Sequence, residues 1–255
     1  MHKTIEIIRR HPLASFFALA YALSWWPTLI EPHGLLPLGP LVAALILCVA
    51  TGGWPEVREF TRRIITWRVG LRWYALVLCL PPIIAVAGAG LNGFLGATPP
   101  AFDRVPPLAD LLPTFVVLFL FIGVGEEPAW RGIALPGLAR GRSLLTGALL
   151  LAVLHGIWHL PLFGLEYTRD NAVPWMLTVT AFSVITAWLY TRTAGNLLLP
   201  ALFHASVNTS AKYLFLPLFQ GDDVIRLYWI SAVLWWVAAM LPIVRLRSPT
   251  RLSGS

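Results

Sequence analysis

Charge is scarce in this sequence of 255 residues, because Asp, Glu, Lys and Arg together make up only 12% of it. An ordinary soluble domain carries about 25% charged residues. The apolar fraction is correspondingly high, at 57%. These proportions exclude a soluble protein and place the chain in a lipid bilayer. Cysteine is also scarce, and Cys48 and Cys79 both stand inside apolar runs. We interpret them as small buried side chains that give no information about redox compartment.

Long apolar runs recur along the chain with short polar breaks between them. A helix needs about 20 mainly apolar residues to cross the hydrocarbon layer of a membrane. Eight candidate spans cover residues 14–30, 36–51, 73–95, 111–138, 144–163, 174–190, 197–216 and 227–244. We therefore predict an all-α fold, a polytopic membrane helical bundle with about eight transmembrane helices. Residues 1–255 are expected to form a single integral membrane domain, with a short disordered tail at 248–255.

The first span is expected to be a retained helix. Lys3, Arg9 and Arg10 precede it as in a signal peptide, but no small-residue cleavage site follows. The adjacent Trp25 and Trp26 are typical of an anchor at the membrane interface.

The distribution of basic residues predicts the orientation in the membrane. Eight spans place both termini on one side, and 15 of the 19 Lys and Arg residues lie on that side. The opposite side has four, namely Arg104, Arg169, Lys212 and Arg226. Basic residues concentrate in cytoplasmic loops, so both termini are predicted to be cytoplasmic, in a protein of the cell membrane. Topology and contact with anionic membrane lipids explain the net charge of +7, which is no argument for a nucleic-acid partner.

A basic segment between the second and third spans has the periodicity of an amphipathic helix. Arg58, Arg62 and Arg63 alternate there with apolar residues that are spaced mainly three or four apart, namely Val57, Phe60, Ile64, Trp67 and Leu71. Such a helix lies along the cytoplasmic lipid surface, or it packs on the bundle with its polar face in solvent. The sequence leaves both arrangements open.

Ionisable groups inside the apolar runs are the strongest functional signal. A charged side chain at the centre of a spanning helix costs roughly 2.5–3.5 kcal/mol, so such residues are usually functional or tightly paired. A spacing of four residues puts the two histidines of the fifth span on one helix face, and likewise the histidine and asparagine of the seventh. A single histidine of this kind is as often structural as functional, but the combination predicts one shared site. Its members are Glu126, Glu127, His155, His159, His204 and Asn208.

Helical spacing separates the two acids. Glu127 and Arg131 are four residues apart with the acid first, which predicts an ion pair with a structural role. Glu126 points away from that pair and is available to another helix. Pro128 predicts a kink or a widened turn beside the acids. If Glu127 leaves the helical region before this proline, the ion pair is weakened.

Three motifs in these spans resemble those of the CAAX prenyl protease and bacteriocin-processing family of intramembrane proteases, also called the CPBP or Abi family. The first motif consists of two glutamates, three variable residues and an arginine. The second ends in a histidine, and the last is a histidine followed four residues later by an asparagine. The matching residues, in order, are Glu126, Glu127, Arg131, His159, His204 and Asn208. The core that carries these motifs is predicted to span residues 111–208.

The second motif departs from the family pattern at one position. The family usually has an aromatic residue four before the motif histidine, where this sequence has His155. The similar ring size favours a packing role for His155. The alternative is that His155 faces the cavity as an additional site histidine, which strengthens the case for a bound metal.

The resemblance implies an intramembrane endopeptidase. Under it, Glu126 and His159 position and deprotonate a water molecule, while His204 and Asn208 donate hydrogen bonds to the oxyanion. We prefer water activated by glutamate with no required cofactor. The alternative is a divalent metal such as zinc, held by Glu126, His159 and His204. The implied substrate is a membrane-associated peptide or protein, with a prenylated tail as one option.

Two other function classes compete with a protease. A non-catalytic immunity factor or membrane scaffold would retain the motif residues for folding. A transporter would use the acids and histidines as a proton relay, but it predicts inverted repeats, and the sequence has no convincing internal repeat.

The predicted topology contains one difficulty. His159 follows Arg142 by 17 residues, or about 25 Å along a straight helix, which places it toward the outer leaflet. Glu126 is expected nearer the middle of the bilayer. Both residues can share a cavity only if the fifth span starts deeper, bends, or opens to a different side from the cytosolic access that the resemblance implies.

Overall fold

Helices account for the regular structure of the chain. The computed structural model describes residues 2–32 and 34–247, so the predicted disordered tail lies outside the described residues. Within the described ranges there is no strand, and the one β-type contact is an isolated bridge between Phe163 and Tyr167. The all-α prediction is confirmed.

The helices follow one another with short connections. In chain order they are α1 (His2–Arg10), α2 (Pro12–Trp25), α3 (Gly39–Ile65), α4 (Leu71–Phe94), α5 (Ala109–Ala139), α6 (Leu144–Trp158), α7 (Arg169–Arg192), α8 (Leu198–Asn208) and α9 (Asp222–Arg247). A π-helical segment, Thr209–Phe215, and a 3₁₀ turn, Leu216–Leu218, prolong α8. Further 3₁₀ turns lie at Trp26–Leu29, Phe102–Arg104 and Leu160–Leu162.

Five helices are long and apolar enough to cross a membrane, namely α3, α4, α5, α7 and α9. The chain is therefore an integral membrane protein. The other three predicted spans correspond to shorter helices, of which α2 has 14 residues, α6 has 15 and α8 has 11 before its π-helical extension. The count of eight spans stays a prediction for this reason.

The outer surface of the bundle is apolar. Aliphatic and aromatic side chains point outward along the helices, among them Val49, Ile83, Val86, Phe121, Val153, Val233, Val237 and Val244. In lipid such side chains need no protein partner, so they do not destabilise the fold as they would in water. Cys48 is buried as predicted, but Cys79 is exposed on this surface, so the prediction for Cys79 was wrong.

The helices that carry the motifs are neighbours in the bundle. Helix α5 packs against α3, α6 and α8, and α7 packs against α6 and α9. Helix α4 packs against α8 and α9, and α2 packs against α3. Motif residues on α5, α6 and α8 are thus brought to one region, with α7 beside them.

Helix α2 is attached to the end of α6 by two hydrogen bonds. The Tyr21 hydroxyl donates to the Leu154 carbonyl at 2.7 Å, and the Trp25 indole donates to the Trp158 carbonyl at 2.9 Å. Trp26 is largely exposed. Of the two tryptophans predicted to anchor the chain at the membrane interface, Trp25 is therefore bonded within the bundle.

Helix α3 is interrupted at Gly53, which adopts φ 67° and ψ −154°. This backbone conformation is open to glycine and strained for other residues. The break separates the apolar first part of α3 from the basic amphipathic segment. Val57 and Phe60 are buried against the bundle, while Trp67 and Leu71 are exposed. The segment therefore packs on the bundle, and contact of its exposed apolar side chains with the lipid surface stays a prediction.

Candidate active site

The acidic pair lies in an α-helical turn of α5 between two π-helical turns. The α-helical turn is Val124–Ala129, and the π-helical turns are Phe119–Gly123 and Trp130–Ala134. The widened turn predicted beside Pro128 is therefore confirmed. Turns of this kind often occur at functional sites because they change which side chains share a helix face. Glu127 remains helical, so the predicted weakening of its ion pair does not occur.

Two glycines allow α5 to approach its neighbours closely. A Cβ atom on Gly123 would lie 2.4 Å from the Ala201 carbonyl oxygen of α8, and one on Gly125 would lie 2.8 Å from the Pro37 carbonyl oxygen. No real Cβ tolerates the first distance. The absence of side chains at these two positions brings the acids of α5 next to α8 and to the segment before α3.

Glu127 and Arg131 form the ion pair that their spacing predicted. Arg131 Nε lies 2.9 Å from Glu127 Oε2, and both side chains are 0% exposed. Arg131 Nη1 also donates to Ser183 Oγ of α7 at 3.3 Å, and the Ser183 hydroxyl donates to the Ala148 carbonyl of α6 at 2.8 Å. The pair therefore connects α5 with α6 and α7 inside the bundle.

His204 contacts Glu127, which the sequence did not predict. His204 Nδ1 lies 3.0 Å from Glu127 Oε1, and the Phe182 ring packs against the imidazole with centroids 5.3 Å apart. A carboxylate only accepts, so the proton of this hydrogen bond belongs to Nδ1. Glu127 thus fixes the orientation of the imidazole and leaves its Nε2 edge available on the other side.

His155 contacts Glu126. His155 Nε2 lies 3.0 Å from Glu126 Oε2, and both side chains are buried. The same imidazole packs beside two aromatic rings, Trp130 at 5.1 Å and Trp158 at 5.8 Å between centroids. The two interpretations of His155 are therefore both partly right, since it fills an aromatic position and also meets the acid of the site.

His159 stands at the C-terminal end of α6, where the helix gives way to the turn Leu160–Leu162. Its Nδ1 lies 3.0 Å from the His155 carbonyl oxygen, and its ring contacts Trp175 at 5.2 Å between centroids. Because a carbonyl accepts and does not donate, Nδ1 carries the proton and Nε2 keeps its lone pair. The ring is thus held as an acceptor.

A cavity of about 230 Å³ joins these groups. Its polar lining includes Glu126, His155, His159, His204 and Asn208. Asn208 is half-buried, and its side chain makes no hydrogen bond with the part of the chain that the structure describes. The volume is sufficient for water molecules, and the polar groups offer them several hydrogen-bond partners. Five of the six residues that were predicted to share a site line it, whereas Glu127 does not and is buried between Arg131 and His204.

The cavity walls are mostly apolar and come from helices outside the motifs. Helices α4, α7 and α9 contribute Ile84, Trp175, Phe182 and Trp235. At the rim, Lys212 and Glu166 form an ion pair, and the Lys212 ammonium lies 5.8 Å from the Tyr167 ring centroid. None of these wall and rim residues was predicted from the sequence to belong to the site. For Lys212, its place two turns after His204 was an available signal, whereas nothing in the sequence marks the contacts of Trp175.

A possible set of metal ligands is present in the site. Ligand atoms of Glu126, His155 and His159 all lie within 4.8 Å of one another. The ligand set predicted from the resemblance had His204 in place of His155. In the structure His204 is bonded to Glu127, the acid on the other side of the pair.

Comparison with known families agrees with the motif resemblance. A family model described as type II CAAX prenyl endopeptidase, Rce1-like, matches residues 108–210. This range contains all the motif residues, so the resemblance to the CAAX protease family is confirmed. No curated protein matches the chain.

Proposed function

Because residues 108–210 match the Rce1-like family of CAAX endopeptidases, we propose that this protein hydrolyses a peptide bond of a membrane-associated protein or peptide. One observation carries the proposal: Glu126 and His159 line a cavity large enough for water, and His204 and Asn208 line the same cavity. Hydrolysis requires an activated water, donors for the oxyanion and a proton for the leaving amine.

Glu126 and His159 act on the water in this mechanism. The lone pair on His159 Nε2 accepts a hydrogen bond from the water and orients it. Glu126 accepts a proton as the water oxygen attacks the carbonyl carbon. The resulting tetrahedral intermediate collapses when the C–N bond breaks, and the proton held by Glu126 passes to the departing amine. The products are a new carboxylate and a new amine, and the Glu126 carboxylate is regenerated.

His204 and Asn208 stabilise the oxyanion of the tetrahedral intermediate. The Asn208 side-chain amide is a donor that is not engaged elsewhere among the described residues. His204 donates from Nε2 when its ring is protonated on both nitrogens, and Glu127 lies against Nδ1 to balance that charge. Glu127 is then a positioning residue for His204, and Arg131 holds Glu127 in place.

The apolar walls indicate the substrate class. Trp175, Phe182 and Trp235 surround the polar end of the cavity, so the bound segment is apolar beside the cleaved bond. The substrate is membrane-associated for the same reason. A prenylated C-terminal tail is the substrate that the family description suggests, and an apolar peptide without a lipid is the form to compare with it.

The test measures cleavage by purified protein in liposomes. Two substrates are offered, a prenylated CAAX peptide and an unprenylated membrane-tethered peptide, and mass spectrometry identifies the new C-terminus. Glu126→Gln keeps the shape of the side chain but removes the base, so we expect activity to fall by about 10²–10⁴. The activity of His159→Ala is expected to fall by a similar factor.

The control is Glu59→Gln, which alters an exposed carboxylate on α3 that pairs with Arg62 and does not line the cavity. Its activity is expected to stay within a few-fold of the parent. Equal cleavage by Glu126→Gln and the parent would overturn the assignment of the base. A second assay compares the membrane proteomes of cells with the parent and with Glu126→Gln for new C-termini. If the parent leaves both peptides intact and produces no new C-terminus, a non-catalytic membrane scaffold is favoured.

A further inference from the structure

We propose that Glu126, His155 and His159 form a binding site for one divalent metal ion of the zinc class. The inference concerns the same pocket as the proposed function, although it is a claim about binding and does not depend on peptide cleavage. It rests on the ligand atoms of these three side chains, which all lie within 4.8 Å of one another.

The distances are close to those of a bound metal. In tetrahedral zinc sites, metal–ligand distances of about 2.0–2.1 Å place the ligand atoms about 3.4 Å apart. His155 Nε2 and Glu126 Oε2 are already 3.0 Å apart. The ligand atoms all lie within 4.8 Å of one another, so the widest pair has to approach by no more than about 1.4 Å to reach this spacing.

His159 is already held in the form that a metal requires, whereas His155 must move its ring proton from Nε2, which donates to Glu126, to Nδ1, which has no hydrogen-bond partner among the described residues. Histidines that bind metals usually donate their other ring N–H to a carbonyl or carboxylate. The Nδ1 of His159 makes such a hydrogen bond, to the carbonyl oxygen of His155, and this leaves the Nε2 lone pair available. His155 and His159 are four residues apart at the end of α6, the spacing that lets two histidines of one helix bind the same ion.

The donor set indicates which metals fit. Two imidazoles and one carboxylate are typical ligands of a zinc site that keeps one position open, and imidazole favours Zn²⁺ over Mg²⁺ or Ca²⁺. The three side chains line the cavity of about 230 Å³, so the open position would face that space. A metal there would bind water where the proposed function needs the attacking water.

His155 is the ligand by which this chain differs from the family pattern. An aromatic residue, which the resemblance leads one to expect at this position, would supply packing but no ligand. In the structure His155 supplies both, since its ring packs against Trp130 while its Nε2 meets Glu126. The same position therefore offers a clean test, because His155→Phe keeps an aromatic ring in the packing position and removes one ligand.

The test measures metal binding by purified, tag-free protein. After treatment with a chelator, the protein is titrated with Zn²⁺, and the bound metal is counted by plasma mass spectrometry. Titration with Co²⁺ adds a spectroscopic signature, the strong visible absorption of a tetrahedral site. We expect one ion per chain for the parent. His155→Phe and His155→Gln are expected to weaken binding by at least tenfold, and size-exclusion profiles check that both variants are folded.

Two control variants locate the site. His204→Ala is expected to retain the metal, because His204 is bonded to Glu127 and is not a ligand. His11→Ala, which removes a histidine between α1 and α2, reports incidental binding and is also expected to retain the metal.

Three outcomes would overturn the proposal: a folded parent that binds no stoichiometric Zn²⁺, equal binding by the parent and both His155 variants, or loss of the metal in His204→Ala. Peptide cleavage is measured on the same samples, so that the two proposals fail separately. A parent that binds no stoichiometric Zn²⁺ but cleaves peptide overturns the metal site and leaves the proposed function intact. A parent that binds the metal at His155 but leaves all peptides intact supports the metal site and overturns the proposed function.

Discussion

Replacing Glu127 by alanine is expected to destabilise the bundle strongly. The carboxylate is 0% exposed, as is its partner Arg131, and the atoms that join them are 2.9 Å apart. In Glu127→Ala the guanidinium stays buried without the carboxylate to which it is bonded, and Ser183 and the Phe182 ring still contact it. Removing one partner of a buried ion pair typically costs about 3–5 kcal/mol, because the remaining charge is left uncompensated in a poorly polar environment.

A double variant separates the buried charge from the lost packing. Glu127→Leu combined with Arg131→Met replaces both members by apolar side chains of similar volume, a change that is often neutral for stability. We therefore expect the double variant to be more stable than Glu127→Ala. Its peptidase activity is still expected to be low, because His204 has lost the carboxylate that orients it.

The assay is reversible unfolding in mixed micelles, with increasing SDS and with intrinsic fluorescence from the 12 tryptophans as the signal. The matched control is Glu59→Ala, which breaks the exposed Glu59–Arg62 pair at 2.7 Å. Exposed pairs contribute about 0–1 kcal/mol. The reasoning is refuted if Glu127→Ala costs no more than Glu59→Ala, or if the double variant is less stable than the single one.

Two further predictions concern the packing of α5 and the orientation in the membrane. Gly123→Val places a side chain where even a Cβ would lie 2.4 Å from the Ala201 carbonyl oxygen, so we expect a loss of at least about 2 kcal/mol by the same unfolding assay, and a wild-type curve would contradict the close contact. In a cysteine-free background, Arg58→Cys is expected to react with an impermeant maleimide from the cytoplasmic side and Glu166→Cys from the opposite side, whereas labelling of both from one side would refute the predicted topology.

The sequence was sufficient for those parts of the site that depend on spacing within one helix. The Glu127–Arg131 pair follows from an i, i+4 relation, and Pro128 predicted a kink or a widened turn beside the acids, where the structure has π-helical turns on both sides. The assignment of polar residues to a shared cavity followed from the cost of placing them in lipid. Each of these arguments uses only local geometry or the membrane environment.

Contacts between helices required the structure. The spacing predicted that Glu127 pairs with Arg131. It gave no indication that the second carboxylate oxygen of Glu127 contacts His204, 77 positions further along the chain. Likewise, ring size favoured packing for His155, and only the approach of α5 to α6 reveals the hydrogen bond to Glu126. The orientation of one helix about its axis relative to another depends on side-chain packing along the whole interface, which no local pattern in one sequence determines.

The length of α6 bears on the difficulty that the sequence raised about depth. With 15 residues, α6 rises about 22 Å, so His159 lies almost as far from Arg142 as the sequence implied. His159 follows directly and turns into the cavity. The cavity lies beside the C-terminal ends of α6 and α8 and the N-terminal halves of α7 and α9, with Glu166 and Lys212 at its rim. Under the predicted orientation, this half of the bundle is the one away from the cytoplasm. A substrate would therefore reach Glu126 from the lipid or from the non-cytoplasmic side, past a charged rim and then between apolar walls, and the cytosolic access implied by the family resemblance would not apply to this chain.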